Sequence, residues 1–513
     1  MAASSSSSSR IQRALDLVER AGNRLPDPAS LFLLASLTVL LLSGIGATLG
    51  WSAEHPRTGE VVAVRSLLSA EGARWVWLHV VGSFTGFAPL GVVLVAMLGI
   101  GVAERAGLVG AALAFAVERA PRRLLAPGVV FAGVMSSLAA DAGFVVLPPL
   151  AAAAFARAGR SPVAGLAAAF VGVAGGFSAN LFVTALDPML SGAAQQAALL
   201  LDSSADVKVT ASYYFMVAST FFVTAVGGLV TEFVVEPGLE RGEDSASTET
   251  GEGEVAQPRA LAAAALAFVL VSGALSAMVL WPGAPLHGDV ELAPGISAPA
   301  WTRAIIPLLL VGFLVPAVVF GVVAKTIRSD RDVAKMMEAS MASMGGYVVL
   351  AFFCGQLVAW FGHSGLGTVL ALRGIELLAS AALPAWGLLV AIVALSAVMN
   401  LFIGSASAKW FLLAPVFVPL FMGLGISPEL TLTAYRVGDS ATNAIAPLNP
   451  YLVVAIVYLK RYRPDAGLGT IVSLMLPYSV ALTVGWTALL LLWMAMGWPL
   501  GPDNGPLLIP VLQ

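Results

Sequence analysis

Between residues 396 and 450 a mostly apolar stretch carries Asn400, Ser405, Ser407, Lys409, Trp410, Arg436, Asp439 and Asn443. The Arg436 guanidinium cannot shed its proton and matches a carboxylate with two parallel hydrogen bonds. Trp410 presents a large π face on which an aromatic ring could stack. Asp439 could coordinate a cation or carry a proton, and Asn400 and Asn443 offer donors and acceptors to a substrate amide or an ion. Structural alternatives stand beside each reading. Arg436 and Asp439, three residues apart on one helix face, could pair with each other, and the asparagines could join helices. Lys409 could meet a second negative charge or snorkel to the surface. Trp410 could belong to an interfacial belt, and Pro428 most simply sets the start of a helix.

A second, earlier stretch repeats the pattern. Val134-Met135-Ser136, Asp141, Gly143-Phe144, Leu147-Pro148, Ser161-Pro162 and Asn180 are followed, at an offset near 264 residues, by Val398-Met399-Asn400, Ser407, Lys409-Trp410, Ala414-Pro415, Ser427-Pro428 and Asn443. Interrupted hydrophobic segments at corresponding places in two halves point to the binding site of a secondary transporter. Backbone can leave the helix at membrane depth only where protein or a polar cavity satisfies it. Asp141 and Asp439, one in each half, are candidates for coupling to a proton or for holding a sodium ion. Asn180 and Asn443 are candidates for the same site.

The elements that must position these groups are membrane helices. Of 513 residues, 58% are hydrophobic and only 11% charged, far from the quarter usual in soluble chains. A net charge of -3 argues against a nucleic-acid partner, and the single cysteine, Cys354, excludes an intrachain disulfide. No short apolar leader with a cleavage site begins the chain, so the spans themselves would direct insertion. The sequence contains no His-Glu-x-x-His and no Gly-Lys-Ser/Thr phosphate loop. Gly176-Phe-Ser178 mimics an intramembrane serine protease, but the four histidines (55, 79, 287 and 363) fall in or near outer loops. Enzyme and ATP-driven pump are therefore unsupported. Broken repeats favour alternating access over an open channel.

Spans are expected at about 29–50, 75–103, 163–185, 212–234, 260–281, 303–324, 345–362, 429–459 (broken) and 466–496. Hairpins are expected at about 124–156 and 384–425. This makes an all-α integral membrane protein of nine transmembrane helices and two re-entrant hairpins. A tail (1–28) precedes the first repeat (29–235); a linker (236–259), acidic and Gly/Ser-rich over most of its length, separates it from the second (260–498), and residues 499–513 follow. With the N-terminus inside, nineteen of the 27 lysines and arginines fall on the inner side and six outside, leaving Lys409 and Arg436 in the membrane. That bias makes the linker cytoplasmic, the C-terminal tail periplasmic and the repeats inverted.

The Ser-Ala-Ser-Ala-Lys-Trp run, Arg436-Val-Gly-Asp-Ser-Ala-Thr-Asn443 and Pro447-Leu-Asn449-Pro450 resemble the AbgT family of p-aminobenzoyl-glutamate transporters. The likeness covers nearly the whole chain. It implies a homodimer in a bacterial inner membrane, coupled to a proton or sodium ion. The substrate it implies is p-aminobenzoyl-glutamate or an antimetabolite such as a sulfonamide. It also places functional residues at Asp187, Asn400, Trp410, Pro428 and Arg436. On position alone Asp187, before Pro188, would end a helix. A sodium-coupled dicarboxylate carrier is the alternative, separable by dependence on an aromatic group.

Overall fold

The computed structural model describes residues 28–54, 60–119, 121–139, 142–239, 257–293, 296–380, 383–449, 451–502 and 504–511. The serine-rich tail, most of the linker and Asp141 lie outside the described residues. The described chain is almost entirely helical. Its strands form two short antiparallel pairs, Ser52–Glu54 with Val61–Ala63 and Asp289–Ala293 with Ile296–Pro299.

Eight helical stretches among the described residues are long and apolar enough to cross a membrane. The count differs from nine for physical reasons. The expected span at 163–185 is broken: Pro162–Phe170 continues through a π-helical turn, Val171–Gly175, then leaves the helix until Leu186–Ala198 begins. The expected 429–459 span is likewise two helices, Pro428–Asn443 and Tyr451–Lys460. Conversely, Ala406–Gly423, read from sequence as a hairpin arm, is itself long enough to cross. The expected span at 75–103 divides into Ala70–Thr85 and Ala88–Arg105, with Pro89 in the second helix's first turn. Pro258–Leu280 is apolar on every side and scarcely covered by the rest of the chain, as a lipid-facing helix should be.

The halves repeat one order of elements. Leu125–Ser136 and Ala142–Arg157 form the arms of the first hairpin, followed by the broken helix that starts at Pro162. Ala385–Asn400 and Ala406–Gly423 form the second hairpin, followed by the broken helix that starts at Pro428. The second arms carry internal prolines, Pro148 and Pro149 in one, Pro415 and Pro419 in the other.

In each half the broken helix lies against its hairpin at a glycine. A Cβ on Gly172 would stand 2.5 Å from the Val130 carbonyl oxygen, and one on Gly438 2.2 Å from that of Val393. Only glycine permits so close a backbone approach. The sequence landmarks therefore mark equivalent packing in the two halves.

Candidate functional site

The second broken helix begins with its own stop and start signals. Ser427 accepts a hydrogen bond from the Leu430 amide at 3.2 Å, and Pro428 takes the first helical position, where a missing N–H costs nothing. This orientation holds Arg436 and Asp439 inside the bundle, 4% and 1% exposed. Each is paired, but not with the other.

Arg436 Nη1 donates to Asp187 Oδ1 at 2.6 Å, and Nη2 to the Ser178 carbonyl at 3.3 Å. The pairing expected from sequence, Arg436 with Asp439, does not form. Three-residue spacing allows such a contact, but a carboxylate from the other half occupies the guanidinium instead. Asp187 does not end a helix either. It lies in the first turn of Leu186–Ala198, where its Oδ2 accepts from the Thr184 amide (2.6 Å) and hydroxyl (2.9 Å). Acidic residues are favoured there by the helix dipole and the unpaired N–H groups. Arg436–Asp187 thus ties the second broken helix to the break of the first.

Lys409 is fully buried and neither snorkels nor stands free. Its Nζ lies 2.5 Å from Asp439 Oδ1 and donates to Asn400 Oδ1. Asn400 Nδ2 faces the Asp439 carbonyl, Thr442 Oγ1 and Asn443 Oδ1 at 2.8, 3.0 and 2.8 Å. One asparagine therefore joins the end of a hairpin arm to the helix break and orients both the lysine and Asn443. Among the described residues, Asp439 Oδ2 and the neighbouring Ser440 hydroxyl have no hydrogen-bond partner.

Trp410 is 1% exposed; its ring meets Tyr435 at 4.7 Å between centroids, and its Nε1 donates to the Leu190 carbonyl at 2.8 Å. The Tyr435 hydroxyl donates to the Ala406 carbonyl at 2.5 Å, so this aromatic pair braces the tip of the second hairpin. In the first half Asn180 plays the part of Asn443. Its Nδ2 donates to Ser137 Oγ at 2.9 Å and its Oδ1 accepts from the Phe182 amide, tying the helix break to the tip of the first hairpin.

The two tips and the two breaks converge on a cavity of about 380 Å³. Ser137 comes from the first tip, Ser405 and Ser407 from the second, and Asn443 and Asn449 from the second break. Ser405 caps the helix Ala406–Gly423, accepting from the Ala408 amide at 3.3 Å, so the positive end of that helix dipole opens on the cavity. The rest of the lining is largely apolar, with Met97, Met189 and Met344, and with Phe144 stacked on Tyr451 at 4.1 Å and 6°. None of the described lining residues carries a charge.

Of the site residues expected from sequence, Ser407 and Asn443 line this cavity. Asp187, Asn400, Lys409, Trp410, Pro428, Arg436, Asp439 and Asn180 lie behind it. Phe144, Tyr347, Asn449 and Tyr451 line it without having been singled out, although Phe144 and Asn449 stand in quoted motifs. No group of three or more metal-binding side chains occurs among the described residues.

The sequence pattern of the AbgT putative transporter family matches residues 13–508. This chain belongs to that family. It is therefore a multi-pass membrane transporter, not an enzyme. It is 35% identical over 500 residues to the p-aminobenzoyl-glutamate transport protein of Escherichia coli (strain K12), covering 98% of each. The crystal structure of the Alcanivorax borkumensis YdaH transporter, described as having an unusual topology, matches 93% of this chain and all of its own at 45% identity and a TM-score of 0.89. The Neisseria gonorrhoeae transporter MtrF, described as illuminating a class of antimetabolite efflux pumps, matches 96% of this chain and all of its own at 38% identity and a TM-score of 0.88.

Proposed function

We propose that this protein is an ion-coupled secondary transporter of p-aminobenzoyl-glutamate or a related aromatic antimetabolite such as a sulfonamide. The observation that carries the reading is the cavity between the two hairpin tips and the two helix breaks, lined both by hydroxyl and amide groups and by aromatic rings. Such a cavity suits a ring joined to a polar tail, as both the E. coli relative's substrate and an antimetabolite of the sulfonamide type would present. The aromatic wall also favours it over the alternative, a carrier of simple dicarboxylates.

Within this reading, the two repeats (29–235 and 260–498) are inverted, nine helices, counting the two broken ones, and two hairpins make up the subunit, and two subunits form a homodimer. The N-terminus and the linker are cytoplasmic and the C-terminal tail periplasmic, as the lysine and arginine bias favours. Asp187, Asn400, Trp410, Pro428 and Arg436 fix the second hairpin tip and helix break around the substrate, with Ser407 in contact with it. Asp439, with Asn443 and in the other half Asp141 and Asn180, takes the coupling proton or sodium. A cation arriving at Asp439 Oδ2, which has no hydrogen-bond partner, weakens the hold on Lys409. A substrate carboxylate then competes with Asp187 for Arg436, or engages the released lysine.

The test is flux in proteoliposomes under an imposed proton or sodium gradient. Gradient-dependent movement of labelled p-aminobenzoyl-glutamate or of a sulfonamide is expected. Movement of a simple dicarboxylate in place of both would overturn the reading and establish the alternative.

A further inference from the structure

One cavity-lining side chain lacks a partner inside the protein. Tyr347, on the helix Gly345–His363, is 9% exposed; its side chain lines the cavity while its hydroxyl oxygen is packed without accessible surface and forms no hydrogen bond among the described residues. A buried hydroxyl without a partner burdens the fold unless something from outside satisfies it. It lines the same cavity as Met97, Met189 and Met344 and the stacked rings of Phe144 and Tyr451. Thioethers are polarizable, conform to irregular shapes and make favourable contacts with aromatic rings. These groups make an apolar, ring-adapted wall, and Tyr347 brings to it a hydroxyl without a partner among the described residues.

We propose that this wall is the seat of the substrate's aromatic ring and that the Tyr347 hydroxyl pairs with a hydrogen-bonding substituent on that ring. The inference rests on the transport reading above and adds to it where the ring is read. Trp410, the obvious candidate from sequence, has its ring against Tyr435 and its N–H on Leu190, away from the cavity. The ring's tail extends toward Ser405, Ser407, Asn443 and Asn449. A phenolic hydroxyl both donates and accepts, so an amino group on the ring can give or receive the bond.

The measurement is equilibrium binding to purified full-length protein of p-aminobenzoyl-glutamate and of benzoyl-glutamate, which differ only in the ring amine. The wild type should prefer the amine by roughly 3- to 10-fold, the worth of one neutral hydrogen bond. Tyr347→Phe removes one unpartnered oxygen, so it should fold normally and bind both ligands equally. Phe144→Leu should weaken both ligands by a similar factor and leave their ratio unchanged. Undiminished preference in a folded Tyr347→Phe protein would overturn the assignment of the hydroxyl while leaving the transport reading intact. Equal binding of the two ligands by the wild type would show that the hydroxyl does not meet the ring amine and would overturn its assignment. Binding of neither ligand by the wild type would overturn this inference together with the substrate reading beneath it.

Discussion

The two halves of the molecule share an architecture and differ in chemistry. A shift of 266 residues carries Ser161-Pro162 onto Ser427-Pro428 and Gly172 onto Gly438. The same shift sets Gly143 against Lys409, Phe144 against Trp410, Phe170 against Arg436 and Val173 against Asp439. In both halves an aromatic residue of the hairpin meets an aromatic residue of the broken helix. Phe144 meets Phe170 at 5.8 Å, and Trp410 meets Tyr435 at 4.7 Å. Among the described residues, the first half closes this junction without a charge. The Lys409–Asp439 pair is therefore not something the architecture demands. Buried pairs are poor stabilisers relative to apolar packing, because desolvation of two ions offsets their attraction. A pair present in one half alone, with an unpartnered carboxylate oxygen, is better explained by transport.

This comparison can be broken most forcefully at the pair itself. Lys409→Met strands Asp439 at 1% exposure, and an uncompensated buried charge costs about 3–5 kcal/mol. Joining it to Asp439→Leu, which puts apolar side chains at both positions of the pair, should restore most of the stability seen in thermal unfolding. Gradient-driven accumulation should be lost in both variants. A double variant as unstable as the single one would mean that the second half needs the pair to fold, and the contrast between halves would fail.

The repeated order of helices was legible in the sequence because its signals are local: Ser-Pro starts, internal prolines and small residues between apolar runs. What escaped was set by contacts distant along the chain. Asp187 and Arg436 are 249 residues apart, and no spacing rule reaches that far, whereas Asp439 sat invitingly within one helical turn. The break after Gly175 was equally hidden, because 163–185 is apolar enough to pass for one span. Its glycines, the π-helical turn and Asn180 end the helix early. Tyr347 gave no signal at all: among the apolar residues of Gly345–His363 it looks like any interfacial tyrosine, and only the fold turns it toward the two hairpin tips.

A smaller effect sharpens the likeness between halves instead of the difference. Gly172→Ala and Gly438→Ala should each force a broken helix away from its hairpin, at a cost of about 1–3 kcal/mol as overpacking typically has. The Gly438 variant should suffer more, since its Cβ would approach a carbonyl oxygen to 2.2 Å against 2.5 Å at Gly172. Thermal unfolding in one detergent ranks the two. Free tolerance of alanine at Gly172 alone would show that the first half packs more loosely and that the repeat is only approximate.

The smallest effect separates the two aromatic positions that the shift superimposes. Trp410→Phe keeps a ring against Tyr435 and loses the Nε1 hydrogen bond to the Leu190 carbonyl, a change of about 1 kcal/mol. Leu190 belongs to the helix Leu186–Ala198, so the lost bond loosens the contact between the halves beside Arg436–Asp187. Any fall in ligand affinity should then be indifferent to the ligand's ring, affecting p-aminobenzoyl-glutamate and acetyl-glutamate alike. Phe144→Leu, at the equivalent position of the first half, removes a ring that faces the cavity and should weaken only the ring-bearing ligand. The difference follows from what lies beside each residue: Phe144 stacks on Tyr451 at the cavity wall, while Trp410 is sealed behind the hairpin tip it supports. A ring-selective loss in Trp410→Phe would reverse this assignment. The substrate's ring would then lie in the second half, and the cavity between the tips would be the seat of the tail.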